Sequence, residues 1–479
     1  MADTGSLKRS VLTAVGWATA TRLAGQLANW AMTLATVRFL RPQDYGLMAV
    51  TIAITGFLQS LSYVGFADAI VQSRRLGDED LRGVFGLILT INAIGLVLLC
   101  ALAYPAAWFY GEPRLAGLLL AASLVFIAVA LQAVPRALLE KKLDLKRVTR
   151  IDLASNILSG TLVLLLAWAG AGVWSLLSGL LFRGILQAIG FGFAAPYFRR
   201  PRFTLRNLSE VLHFGGLRTA ENLLWTFYAS ADVFVIGKLL GADILGIYSV
   251  ARTVAALPVE KLSGVVKPIA FPAFAQVQDN RDEALHYLQK ATRLLGFLCF
   301  PVFFGIAATA PQIVSIALGP KWTQATLPLV ILAIAMALRP IGILIPSFLI
   351  GIGQIRASFK NTLFATILYP LAFAVGSHWG LIGVCAAWLV ATPIQLLVLL
   401  RRVAIITGIT IFDLIAPLLP PLAGSLVMYA SVRAIDVWLP TAGSSAAPWL
   451  VVSGVLVYLG YAALFMRPLA TELVALARH

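Results

Sequence analysis

The stretch Leu40-Arg-Pro-Gln-Asp-Tyr-Gly-Leu-Met-Ala-Val50 returns 200 residues later as Leu240-Gly-Ala-Asp-Ile-Leu-Gly-Ile-Tyr-Ser-Val250, with its Leu, Gly and Val in register. Working outward, the same shift lays Gly16, Thr19, Ala20 and Leu23 on Gly216, Thr219, Ala220 and Leu223. Each copy is a short turn between two apolar runs, so a helix, a turn and a second helix are expected twice. The period implies an N-lobe over residues 1–198, a basic linker over 199–210, a C-lobe over 211–402 and a terminal segment over 403–479.

The chain has 479 residues, 60% of them hydrophobic and 12% charged. A soluble domain carries about 25% charged residues, so this is a polytopic membrane protein. A membrane helix needs about 20 apolar residues. Runs of that kind cover 12–39, 46–71, 84–108, 115–136, 149–170, 173–195, 212–239, 245–274, 291–317, 325–350, 357–377, 380–400, 411–433 and 447–466. The expected fold is therefore all-α, with about 14 transmembrane helices. Six fall in each lobe and two follow at the C-terminus. Six is even, so both lobes enter the membrane the same way, related by a pseudo-two-fold axis along the membrane normal. In transporters with such parallel repeats, the substrate site lies between the halves.

Of the 37 Lys and Arg residues, 24 lie in the tails and loops on the side of the N-terminus and six on the other side. By the positive-inside rule both termini are cytoplasmic, and this topology explains most of the +16 net charge without invoking nucleic acid. The run after Lys8 and Arg9 continues past Arg22 without a short apolar core and cleavage site, and reads as an uncleaved first helix. Trp108, Trp168, Trp174, Trp322, Trp379, Trp438 and Trp449 fall near the outer interface, where amphipathic rings are favoured. The charged segment Asp279 to Lys290 reads as a cytoplasmic surface helix.

The remaining seven cations, Arg22, Arg183, Arg218, Arg252, Lys261, Lys267 and Arg339, sit inside the apolar spans. Each costs about 2.5–3.5 kcal/mol at the centre of a spanning helix, so they should face a wet interior where they can hold an anion. Arg22, Gln26, Asn29 and Thr33 form one stripe on the first helix, and Arg218, Asn222, Trp225 and Asp232 form another on the seventh, with Glu221 at its margin. On the eighth helix Arg252, Glu260 and Lys267 share an arc, Lys261 faces away, and Pro258, Pro268 and Pro272 interrupt the hydrogen bonding. Arg339 precedes Pro340, which marks a bend beside a cation.

The candidate anion site is thus Arg22, Arg218, Arg339, Arg252 and Lys267, with Gln26, Asn29, Asn222 and Trp225 beside them. The acids Asp68, Asp152, Asp232, Glu221 and Glu260 could pair with these bases, carry a proton or bind Na⁺. Each group also reads as an ion pair or snorkelling group that packs two helices, and Arg183 and Lys261 lean that way.

No catalytic constellation is visible. The four His residues are scattered, no phosphate-binding loop is present, and Cys100, Cys299 and Cys385 lie in apolar runs as packing residues. No cofactor, metal or enzymatic activity is expected.

Arg38-Phe-Leu-Arg-Pro-Gln-Asp-Tyr-Gly-Leu-Met48, Gly65-Phe-Ala-Asp-Ala-Ile-Val-Gln72 and Gly241-Ala-Asp-Ile-Leu-Gly-Ile-Tyr-Ser-Val-Ala251 resemble motifs of bacterial polysaccharide flippases. These are the Wzx-type or PST-type exporters of the MOP superfamily, which also holds the lipid II flippase MurJ and the MATE drug exporters. The resemblance spans essentially the whole chain. It implies an inner-membrane protein that moves an undecaprenyl-diphosphate-linked oligosaccharide from the cytoplasmic to the periplasmic leaflet by alternating access. A cationic central cavity, assigned to Arg22, Arg218 and Arg339, would bind the diphosphate, and an H⁺ or Na⁺ gradient would drive the motion. A polysaccharide polymerase and co-polymerase are the partners such a pathway implies. The alternatives are a lipid II flippase and, from a different class, a membrane polymerase or ligase of lipid-linked sugars. The latter would need a sizeable outer loop, and none is present. A MATE-type drug exporter fits poorly, because cationic drugs call for an acid-rich cavity.

Overall fold

The computed structural model describes residues 25, 31–62, 77–142, 144–197, 199–202, 208–277, 280–438 and 447–466. The side chains of residues 61–62, 78, 80, 208–222, 260, 262–265, 267–269, 271–272 and 281 are not among those described. The described residues form helices and connecting turns, with no strand. Among the described residues, ten stretches are long and apolar enough to cross a membrane. The chain divides into two compact units, residues 1–226 and 227–479.

In the first unit α1 (Pro42–Ser62) is followed by α2 (Asp78–Tyr110), α3 (Arg114–Ala122), α4 (Leu124–Lys141), α5 (Leu145–Trp168) and α6 (Val173–Ala194). The quoted stretch at residue 40 builds the start of α1. Pro42 sits at the first helical position, where its missing N–H is no loss. Asp44 then turns back: Oδ2 accepts the Arg41 N–H at 2.9 Å while Oδ1 accepts the N–H of Val173, the first residue of α6, at 3.0 Å. One carboxylate thereby satisfies orphan donors at two helix starts, where the helix dipoles favour negative charge. Gly172, with φ 57°, makes the turn that brings Val173 there. In the second copy Ile244 stands in the register of Asp44 and Gly241, with φ 84°, ends the turn, so the clamp belongs to the first unit.

The α5–α6 pair is the closest in this unit, and α4 packs on α6 and α2. Asp152 on α5 ties three helices, accepting from Gln187 Nε2 of α6 at 2.8 Å and pairing with Arg136 of α4 at 3.5 Å. Past α6 the linker folds back onto α2. The Arg202 N–H donates to the Arg82 carbonyl at 3.0 Å, Arg82 Nε donates to the Arg200 carbonyl at 2.9 Å, and Arg202 pairs with Glu79 at 2.8 Å. Gly86 permits this approach, since a Cβ there would collide with the Arg202 carbonyl.

Then α7 (Leu208–Leu239) crosses from the first unit into the second. The second unit continues with α8 (Ala242–Gln276), α9 (Arg281–Ala308), α10 (Ala310–Ile313), α11 (Thr326–Met336), α12 (Arg339–Gly351), α13 (Ile355–Gly376), α14 (Gly380–Thr407), α15 (Ile411–Ile415), α16 (Leu419–Trp438) and α17 (Ala447–Phe465). α8 packs on α11 and α12, α9 on α11 and α16, and α13 on α14. The α13–α14 hairpin is tight because Gly376 and Gly383 face each other, and a Cβ on either would strike the other's carbonyl. α16 and α17 pair with each other and lean on α9, where the Tyr458 hydroxyl donates to the Phe297 carbonyl at 2.9 Å.

One expectation is corrected and two are refined. Pro258, Pro268 and Pro272 do not divide the eighth span, for α8 runs unbroken over 35 residues. A proline removes one bond while its neighbours keep theirs, and a bilayer leaves backbone groups no other partner. Residues from 280 onward are not a separate surface helix. Asn280 caps α9 by accepting the Glu283 N–H at 3.3 Å, so the charged segment forms the opening turns of a spanning helix. Trp322 is fully buried within the second unit, whereas Trp108, Trp168, Trp174, Trp379, Trp438 and Trp449 are exposed. The bend at Arg339 is present: α11 ends at Met336 and α12 begins at Arg339. Pro340 has no N–H to give the Met336 carbonyl, and its ring crowds that oxygen.

Candidate functional site

The second unit gathers charge and aromatic rings at one place. α7 contributes Asp232, which is fully buried. Four residues apart on one face of α8 are Tyr248 and Arg252. The Arg252 Nε lies 3.0 Å from Asp232 Oδ2, and the same oxygen accepts the Tyr248 hydroxyl. Asp232 Oδ1 accepts the Val233 N–H at 2.9 Å. Arg252 also donates to the Ala229 carbonyl at 2.8 Å and keeps a quarter of its side chain exposed. The carboxylate thus holds three donors, and the pair is neutral as a unit.

Trp388 of α14 links this pair to a second cation. Its indole N–H donates to the Tyr248 hydroxyl at 2.8 Å. The Arg252 guanidinium lies 5.9 Å from the Trp388 ring centroid, and that of Arg339, at the start of α12, lies 5.1 Å away. Such cation–ring contacts are worth about 0.5–2 kcal/mol, rising as water is excluded. They leave the charge uncancelled. Among the described residues no carboxylate lies within ion-pair distance of Arg339. One turn and two turns along α14 from Trp388 come Thr392 and Gln395. The Tyr369 hydroxyl of α13 donates to Gln395 Oε1 at 2.8 Å and lies 3.3 Å from Thr392 Oγ1. Among the described residues no three His, Cys, Asp or Glu side chains converge as metal ligands would.

The family model for "Polysaccharide biosynthesis protein" matches residues 35–327, more than half of the chain. The chain belongs to the polysaccharide biosynthesis protein family. The lipopolysaccharide biosynthesis protein WzxC of Escherichia coli (strain K12) is 27% identical over 94% of this chain and 88% of its own length. The succinoglycan biosynthesis transport protein ExoT of Rhizobium meliloti (strain 1021) is 27% identical over 80% of this chain and 77% of its own. A solved structure of the lipid II flippase MurJ, in an inward closed conformation, superposes with a TM-score of 0.74 at 16% identity, covering 94% of this chain and 99% of that one. The chain thus shares the fold of that structure.

For this family member the residues singled out in the apolar spans divide into four sets. Arg252, Asp232 and Arg339 are brought together around Trp388. Trp225 is exposed on α7, and Lys261 is exposed on α8. Arg22, Gln26, Asn29 and Asp68 lie outside the described residues. Arg218, Glu221 and Asn222 on α7 and Glu260 and Lys267 on α8 lie in described helices, but their side chains do not belong to the described set.

Arg183 differs from the packing role expected of it: it is exposed, with no ion pair or hydrogen bond among the described residues, one turn from the buried Gln187. The sequence reading missed Tyr228, Tyr248, Tyr369, Trp388 and Gln395. A signal was there, because Trp388, Thr392 and Gln395 fall at i, i+4 and i+7, a polar stripe without a charge to mark it.

Proposed function

We propose that this protein flips an undecaprenyl-diphosphate-linked oligosaccharide repeat unit across the inner membrane, for exopolysaccharide, capsule or O-antigen synthesis. The observation that carries the reading is Arg339, a cation with no carboxylate partner among the described residues, held on the Trp388 ring at the break between two half-helices. Holding an uncancelled charge inside apolar spans is expensive unless an anion repays it. A guanidinium presents a planar fork of donors that matches phosphate oxygens, so a diphosphate is the anion it suits.

The names of the relatives supply the biology. WzxC is named for lipopolysaccharide biosynthesis and ExoT for succinoglycan transport, and MurJ is a flippase for another lipid-linked sugar. ExoT is named as a transport protein and MurJ as a flippase, and this chain is read as a transporter and not as an enzyme.

The head group would pass by alternating access while the lipid tail stays in the bilayer. Both termini would be cytoplasmic, and Arg22, Arg218 and Lys267 would extend the cationic path. Coupling to H⁺ or Na⁺ is assigned to Asp232. Since its oxygens already hold three donors, Na⁺ would enter only as Arg252 leaves, whereas a proton needs no open coordination position. A polymerase and co-polymerase would receive the flipped unit.

The test is polysaccharide export in a strain whose only copy carries Arg339→Ala or Arg22→Ala. Export should be lost with normal membrane levels of the protein, and lipid-linked units should accumulate on the cytoplasmic side. Full export in both variants would overturn the site assignment, and accumulation on the periplasmic side would point to a polymerase instead.

A further inference from the structure

We propose that the rings and amide beside Arg339 form a saccharide subsite, which holds the sugar joined directly to the diphosphate and so sets which repeat units are accepted. This rests on the flippase reading above. Ring-to-ring steps lead away from the cation: 5.1 Å from Arg339 to Trp388, 5.0 Å from Trp388 to Tyr369 and 5.5 Å from Tyr369 to Tyr228. Trp388 and Tyr369 are buried and serve as backing. Tyr228 and Gln395 are half-buried, so they are the edges a ligand can touch.

The polar ends of these two residues are the second observation. Tyr369 occupies Gln395 Oε1, which leaves the Nε2 donors without a partner among the described residues, and the Tyr228 hydroxyl likewise has none. These groups are open to a ligand, and ligand sites characteristically combine aromatic walls with a few such polar groups. A pyranose presents a face of C–H groups and a rim of hydroxyls. The face suits the Tyr228 ring, and the rim suits the Gln395 amide and the phenol. The sugar joined to a diphosphate on Arg339 is the one we place against these two edges. Apolar cargo would use the rings and not the amide, and a bare phosphate would use neither.

The experiment measures binding to the full-length purified protein of undecaprenyl diphosphate and of its glucose, galactose and N-acetylglucosamine conjugates. The wild type should prefer at least one conjugate to the bare lipid. Tyr228→Ala and Gln395→Leu should each weaken that conjugate by about five- to tenfold, the effect of one ring face or one hydrogen bond. Their affinity for the bare lipid should stay within about twofold, which also shows that the variants fold, and Tyr228→Phe, which keeps the ring and loses the hydroxyl, should weaken the conjugate less than Tyr228→Ala. Arg339→Ala should weaken bare lipid and conjugates alike. Wild-type binding that is equal for bare lipid and every conjugate would overturn the subsite alone, as would Tyr228→Ala and Gln395→Leu variants that keep the wild-type preference or lose bare lipid equally. A wild type that binds no undecaprenyl diphosphate would overturn the flippase reading, and the subsite with it.

Discussion

Replacing Arg252 with Met strips the counter-charge from Asp232 while keeping most of the side chain's volume. Asp232 has no exposed surface, and without Arg252 its remaining donors are the Tyr248 hydroxyl and the Val233 N–H. Leaving one partner of a buried pair behind costs about 3–5 kcal/mol. The reverse change, Asp232→Asn, is milder. Arg252 keeps the Ala229 carbonyl, the Trp388 face and water at the exposed quarter of its side chain, and the amide oxygen can still accept from Val233. The loss there should be about 1–2 kcal/mol, the scale of one weakened charged hydrogen bond. Combining the two changes removes the stranded charge and should recover most of the loss, because the residues couple strongly. Thermal unfolding midpoints in one detergent should rank wild type highest, followed by the double variant and Asp232→Asn, with Arg252→Met lowest. The reasoning is refuted if Arg252→Met melts with the wild type, or if the double variant is no more stable than Arg252→Met.

Three further outcomes follow from the packing. Asp44→Ala removes the acceptor for two helix-start N–H groups and should destabilise the protein by about 1–3 kcal/mol, read as a lowered midpoint, with Asp44→Asn milder. Gly86→Leu should lift the linker off α2, which limited proteolysis would register as faster cleavage near Arg199–Arg202, whereas Gly83→Leu, with open space around it, should not. Trp322→Ala should lower the midpoint by the equivalent of about 3–5 kcal/mol, unlike Trp379→Ala at an exposed position.

Much of the fold was legible because a membrane helix announces itself by length and hydropathy. The spans expected at 173–195 and 447–466 meet helices at Val173–Ala194 and Ala447–Phe465. The turns were harder. The sequence at Leu40–Val50 marks a helix start, but that Asp44 also caps a helix beginning 129 residues later is tertiary information. Of the site, the cations could be listed from the sequence, since a charge in an apolar run stands out. Which of them are neutralised could not. Arg252 and Arg339 look alike in sequence, and only the buried position of Asp232 separates a guanidinium paired with a carboxylate from one with no such partner among the described residues. The aromatic backing went unseen because Trp388 and Tyr369 are ordinary residues in an apolar helix. Their role depends on α13 and α14 lying side by side.

The central claim is that the protein carries a lipid-linked sugar between leaflets and uses Arg339 to hold its diphosphate. The most direct measurement places the purified protein in proteoliposomes with a fluorescent undecaprenyl-diphosphate-linked sugar in one leaflet, and follows its arrival in the other by quenching. The wild type should transfer the lipid under an imposed ion gradient, while Arg339→Ala, reconstituted at the same density, should fall to the rate of protein-free vesicles. Transfer by Arg339→Ala at the wild-type rate, or a wild type no faster than empty vesicles under either a proton or a sodium gradient, would contradict it.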